Sequence, residues 1–245
     1  MVAEIFAITK LKTLITAQAL YEHYNSILGS SFERSRKINL SAIGLPSLEL
    51  SRLEGLFIED EVCLVVMDLP NDKAPGPDGF TGLFYKMVWD IIKDDIMNAF
   101  NAFWSQDVRS LNHLNDAFMI LLKKKPQPVE IHDYRLISLI HSFSKLVTKC
   151  LANHLAAVLD GHLCHNQSAF IKGRCIQYNF RAVHLSCKAL HSRWVLSVLL
   201  KSDITEAFDS VSWTFLLEVL QHMGCGWRWR NWISAILGTA STKFC

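Results

Sequence analysis

Two carboxylates at the end of an apolar run are the residues best placed to do chemistry. Val195 to Leu200 is apolar, and Asp203 follows it within Lys201-Ser202-Asp203-Ile204-Thr205-Glu206-Ala207-Phe208-Asp209-Ser210-Val211. A short apolar run between polar residues predicts a buried strand. A carboxylate just past such a strand suits a hard cation such as Mg²⁺. Two-metal chemistry needs a further carboxylate brought alongside it. No later strand in the sequence carries one, since the 245 residues end at Cys245. The competing reading of Asp203 and of Asp209 is a helix-capping or turn acid, a role that aspartate fills well.

A second cluster is cationic. Residues 120–150 hold Lys123, Lys124, Lys125, Arg135, Lys145 and Lys149 against Glu130 and Asp133. Such groups suit phosphate oxygens, which accept charge-assisted hydrogen bonds, and arginine can grip them with two. The bland alternative is a solvated basic hairpin. Lys172 and Arg174 flank Gly173 and could meet a phosphate backbone. Residues 49–61 are the reverse, with Glu49, Glu54, Glu59, Asp60 and Glu61 against Arg52.

Two other constellations do not carry chemistry. Asp94-Asp95 lies inside a helical pattern, which makes it a solvated helix face. Cys150, His154, His162, Cys164 and His165 lack the paired spacing of a zinc site.

The elements that position these groups follow from periodicity. Helices are predicted at 9–30, at about 59–68 (where Glu59-Asp60-Glu61 suits a first turn), as one long element from Phe84 to Phe103, and from Phe143 to Val158. Further helices are predicted at 176–191, at about 211–223 with Gly224 as its stop, and through Trp229, Trp232, Ile233 and Ile236. Residues 31–57 read as a linker with short elements. Phe118 to Leu122 predicts a strand, broken by Pro126 and Pro128, with Tyr134 to Ile140 as its hairpin partner. Pro75-Gly76-Pro77-Asp78-Gly79 must be an ordered turn or a loop.

Composition bounds the rest. Half of the residues are apolar and the net charge is only +2, so the chain is globular and its bulk charge argues for no partner. Seven scattered cysteines fit a reducing, intracellular setting. No stretch reaches the length of a membrane span, and the N-terminus lacks the pattern of a signal peptide.

Four segments in order resemble the reverse transcriptases of plant non-LTR (LINE-type) retrotransposons. They are Asp72-Lys73-Ala74-Pro75-Gly76-Pro77-Asp78-Gly79-Phe80, then Asp133-Tyr134-Arg135 with Ile137-Ser138-Leu139, then Gln167 to Arg174, then Asp203 to Val211. The resemblance covers roughly residues 15–245. It implies an α+β, partial right-hand polymerase fold: a region 1–58 before the polymerase, fingers at 59–190, and the start of a palm at 191–245. It implies that Asp203, with the Ile204 carbonyl, binds Mg²⁺, and that Phe208 packs under the sugar. It also implies that Lys124 and Arg135 clamp the triphosphate and that Lys172 and Arg174 touch the template. Partners would be an RNA template, a DNA primer and deoxynucleotides.

The chain departs from the family at Leu136 and Lys123, where proline is usual, and at Glu206, where lysine is usual. The aromatic-x-Asp-Asp hairpin is not found in it. The missing hairpin leads to the expectation of a truncated, catalytically incomplete fragment, and the apolar edge it would leave open at 195–200 leads to the expectation of poor solubility. Two alternatives stay open: a non-catalytic nucleic-acid-binding remnant, or a decayed reading frame without a biochemical role.

Overall fold

A computed structural model describes residues 18, 22, 37–45, 47–48, 50–105, 114–128, 130, 133–159, 161–171, 173–202 and 211–244. The predicted helix at 9–30 lies outside them except at Gln18 and Glu22. Both are helical there, with Gln18 Nε2 donating to Glu22 Oε1 at 2.7 Å.

A 3₁₀ turn, Ser51–Glu54, is a short element among the described residues of the linker. Helix α1 is Glu59–Met67, opened by its three acids as expected. The long helix is in fact two, α2 (Gly82–Met87) and α3 (Trp89–Trp104), parted at Val88 with φ −106° and ψ 10°. Trp89 faces the core, while Met87 and Ile91 on the opposite side stay exposed. Strands β1 (Asp116–Lys123) and β2 (Tyr134–Ile140) form the predicted antiparallel hairpin. Helices α4 (Ser142–Leu159), α5 (Ile176–Ser192), α6 (Trp213–His222) and α7 (Trp227–Gly238) follow. The architecture among the described residues is therefore α+β, consistent with a partial polymerase fold.

One predicted strand is absent. Val195 to Leu200 makes no ladder, and Leu196 and Val198 are almost wholly exposed. A strand exists only through a paired neighbour. Here β1 is flanked by β2 on one side and by β3 (Ser241–Phe244) on the other, in the order β2-β1-β3. The expectation of a first palm strand at this run is therefore corrected.

Strand β3 runs parallel to β1, and the sequence had not announced it. Asp116 secures it, accepting from Ser241 Oγ at 2.5 Å and pairing with Lys243 Nζ at 3.1 Å. Asn115 Nδ2 donates to the Ile236 carbonyl at 2.6 Å, which ties the end of α7 to the start of β1.

The core joins the segment before α1 to α1, α3, α4 and α7. Phe57 meets Phe100 edge-on at 5.0 Å, and Trp232 stacks on Phe103 at 5.5 Å. Glu54 fixes the entry to α7: its Oε1 accepts from Trp229 N at 3.0 Å, a capping carboxylate at a positive helix end. No helix among the described residues is long and apolar enough to cross a membrane.

Cys150 faces this core with no exposed surface. Burial, with Glu61 nearby, pushes its thiol up to about 12 from an ordinary 9.0. The folded chain thus keeps a proton that the unfolded chain loses first. That contribution to stability is whole below pH 9.0 and fades as pH rises toward about 12, by about 1.4 kcal/mol per pH unit. Urea midpoints taken above and below the lower limit should show Cys150→Ala with a shallower pH dependence than the parent. Equal slopes would remove the buried thiol from the balance.

Candidate functional site

The cationic hairpin is built from its register. Leu122 lies opposite Arg135 and Lys123 opposite Tyr134. Lys124 N donates to Asp133 O at 2.7 Å, which extends the ladder by one rung. Side chains two apart share a face of a strand. Lys124 and Arg135 therefore stand on the same face of the hairpin, and both are exposed.

Asp133 shares that face, and its role is internal. Its Oδ2 accepts from Glu130 N at 3.0 Å, and its Oδ1 pairs with Lys125 Nζ at 2.8 Å. The acid shapes the turn while Lys125 balances its charge. Sequence reasoning had placed Asp133 in a motif without giving it this task.

The Pro-Gly-Pro-Asp-Gly turn docks where β2 becomes α4. Asp78 Oδ2 accepts from Ser142 N at 2.6 Å, capping α4 from more than sixty residues away. Ser142 Oγ donates to the Phe80 carbonyl at 3.1 Å. Gly76 lies against the Ile140 carbonyl so closely that a Cβ would come within 2.0 Å of its oxygen. Beneath it, burial and then the Asp78 charge hold the Tyr85 phenol above its usual range, against a hydrogen bond with Ser142. This turn is an anchor for the hairpin, a function that its composition alone did not reveal.

The other candidate residues are distributed differently. Asp203, Ile204, Phe208, Asp209 and Lys172 lie outside the described residues. Arg174 is described, and its guanidinium is spent on its own loop. Nη1 donates to Cys164 O at 2.6 Å and Gln167 O at 2.8 Å, and Nη2 to Leu163 O at 3.2 Å. Those bonds make it a clamp of the 163–167 loop.

Asp94 and Asp95 are exposed on α3, as a solvated helix face requires. His154 Nε2 lies 2.6 Å from Glu61 Oε1, and its ring stacks on Phe57 at 5.5 Å. Among the described residues no group of three His, Cys, Asp or Glu could hold a metal ion.

The end of β1, the strand β2 and the helices that follow coincide with a known family. Residues 122–244 match the family described as reverse transcriptase (RNA-dependent DNA polymerase). The chain belongs to the reverse transcriptase family.

Two relatives narrow the kinship of this reverse transcriptase chain. It is 29% identical over 192 residues to a 149 kDa protein of transposon TX1 from Xenopus laevis, covering 77% of the chain and 14% of that protein. It is 30% identical over 166 residues to a 115 kDa protein of the type-1 retrotransposable element R1DM from Drosophila melanogaster, covering 67% of the chain and 16% of that protein. The reverse transcriptase chain is thus homologous to proteins of non-LTR retrotransposons, and it spans about a sixth of their length or less. Its matched segment begins at Leu122, so Lys124 and Arg135 both fall inside it.

Proposed function

We propose that the chain is a section of the RNA-directed DNA polymerase of a LINE-type retrotransposon of the plant kind. Residues 59–190 would serve as fingers and 191–245 as the start of the palm. The observation that carries the reading is the shared, exposed face of Lys124 and Arg135 on a hairpin inside the family match. Two cations at that spacing suit the triphosphate of an incoming deoxynucleotide. Asp203 with the Ile204 carbonyl would hold Mg²⁺, which supplies charge stabilisation for nucleotidyl transfer. Phe208 would pack under the sugar, and Lys172 and Arg174 would meet the template backbone.

The test is binding of a fluorescent deoxynucleoside triphosphate to the parent and to the Lys124→Ala, Arg135→Ala double variant. Each charged hydrogen bond contributes about 1.5–3 kcal/mol, so the pair should weaken binding about 100-fold or more. Unchanged binding would refute the clamp.

A second expectation concerns turnover by these 245 residues alone. Their sequence holds no aromatic-x-Asp-Asp hairpin to complete a two-metal site, so purified chain should not extend a primer on RNA. Mg²⁺-dependent extension that disappears in Asp203→Ala would show that another carboxylate in the chain does complete it.

A further inference from the structure

The two clamp cations ride at the far end of a lever. Ala117 pairs with Ile140 and Lys123 with Tyr134, so the base of the hairpin is at Asp116 and Ile140 and its cations are at the tip. Strand β2 buries none of its own residues. A single residue, His141, joins it to α4, and α4 is fixed because Phe143, Leu146 and Val147 lie in the core. Arg135 stands five positions from Ile140, about 17 Å at about 3.4 Å per residue. A tilt of about 10° at His141 would carry it about 3 Å, the length of a hydrogen bond.

The base is held on both strands. On β1, Asp116 bonds Ser241 and Lys243. On β2, the turn at 75–79 closes on the junction from two sides. Gly76 lies against the Ile140 carbonyl. Asp78 Oδ2 accepts from Ser142 N at 2.6 Å, with His141 Nδ1 3.8 Å away. Its Oδ1 accepts from Phe80 N at 3.4 Å, so one carboxylate spans the turn and the start of α4.

We propose that Asp78 is a positioning residue for the nucleotide clamp. By fixing the junction of β2 and α4 it sets where Lys124 and Arg135 meet the triphosphate, which it does not itself touch. The inference rests on the polymerase reading given above. Donors held in place bind without the cost of ordering them, so a junction left free to rock lowers affinity as well as stability. A carboxylate that merely capped α4 would act on folding and leave the clamp as it is.

The experiment is titration of the fluorescent deoxynucleoside triphosphate into the 245-residue chain, at a temperature where circular dichroism shows each variant folded. Asp78→Ala should weaken binding about tenfold, the loss expected for one charged contact. Asp78→Asn keeps an oxygen for Ser142 N. A charged bond is about twice as strong as a neutral one, so this variant should lose only about threefold. In the Lys124→Ala, Arg135→Ala background, Asp78→Ala should add nothing, because it acts through those two residues. Leu53→Ala, which truncates a core residue in the 3₁₀ turn before α1, should bind as the parent does.

Parental affinity in Asp78→Ala, beside weakened binding in the clamp variant, would overturn this inference and leave the polymerase reading standing. So would an equal loss in Leu53→Ala, or a loss that persists in the background lacking the clamp. A clamp variant that binds as the parent does would overturn both. If Asp78→Ala does not fold, Asp78→Asn decides. A loss of about threefold that vanishes without the clamp supports the inference, and parental affinity overturns it.

Discussion

Alanine at Gly76 should cost about 4 kcal/mol of stability and loosen the hairpin with it. The added Cβ would lie 2.0 Å from the Ile140 oxygen, 2.5 Å from its carbonyl carbon and 2.9 Å from His141 N. All three are backbone atoms, so no side-chain rotation relieves the contact and the turn itself must move. Overpacking of this kind costs about 1–3 kcal/mol. Movement also stretches the Asp78 bond to Ser142 N, now 2.6 Å, a charged hydrogen bond that contributes about 1.5–3 kcal/mol.

The urea midpoint should fall without a change in the slope of the transition. Gly79→Ala is the contrasting variant. Gly79 has φ +74° and nothing within 4 Å of a Cβ, so only the left-handed conformation is penalised, by about 1–2 kcal/mol. Equal midpoints for the two variants would mean that the turn does not dock on the β2–α4 junction.

Trp232→Ala is the second large effect, at about 3 kcal/mol. Trp232 is 1% exposed. It stacks on Phe103 at 5.5 Å, and lies 5.8 Å from Phe57 and 6.1 Å from Trp229. Truncating a buried tryptophan costs about 3–5 kcal/mol through lost transfer energy and the cavity left behind. The lower end is expected because its indole Nε1 is buried without a hydrogen-bond partner among the described residues. Removing an unsatisfied donor returns part of the loss.

Trp227, on the same helix but 57% exposed, provides the control. Its alanine variant should stay within about 0.5 kcal/mol of the parent. A similar fall for both would place the core elsewhere than the junction of α3, α7 and the segment before α1.

Periodicity settled what depends on one face of one segment. The helices of α1, α4, α5, α6 and α7 were legible because apolar residues at helical spacing must share a side, whatever that side meets. The hairpin was legible because Pro126 and Pro128 interrupt an apolar run and force the chain to return. The four ordered motifs were also enough to indicate the family.

What stayed hidden depends on a distant partner. The apolar run at 195–200 has the composition of a strand, but a ladder needs a neighbour, and β2 and β3 flank β1 instead. Asp78 reads as a turn residue until Ser142 N is found 2.6 Å away, and the bonds of Arg174 to the carbonyls of Leu163, Cys164 and Gln167 are seen only once that loop is folded around it. By itself, then, the sequence determined the helices α1 and α4 to α7, the basic hairpin and the kinship. Tertiary structure decided which cations face outward and which acids hold the fold, because a hydrogen bond or ion pair is fixed by where its second partner lies.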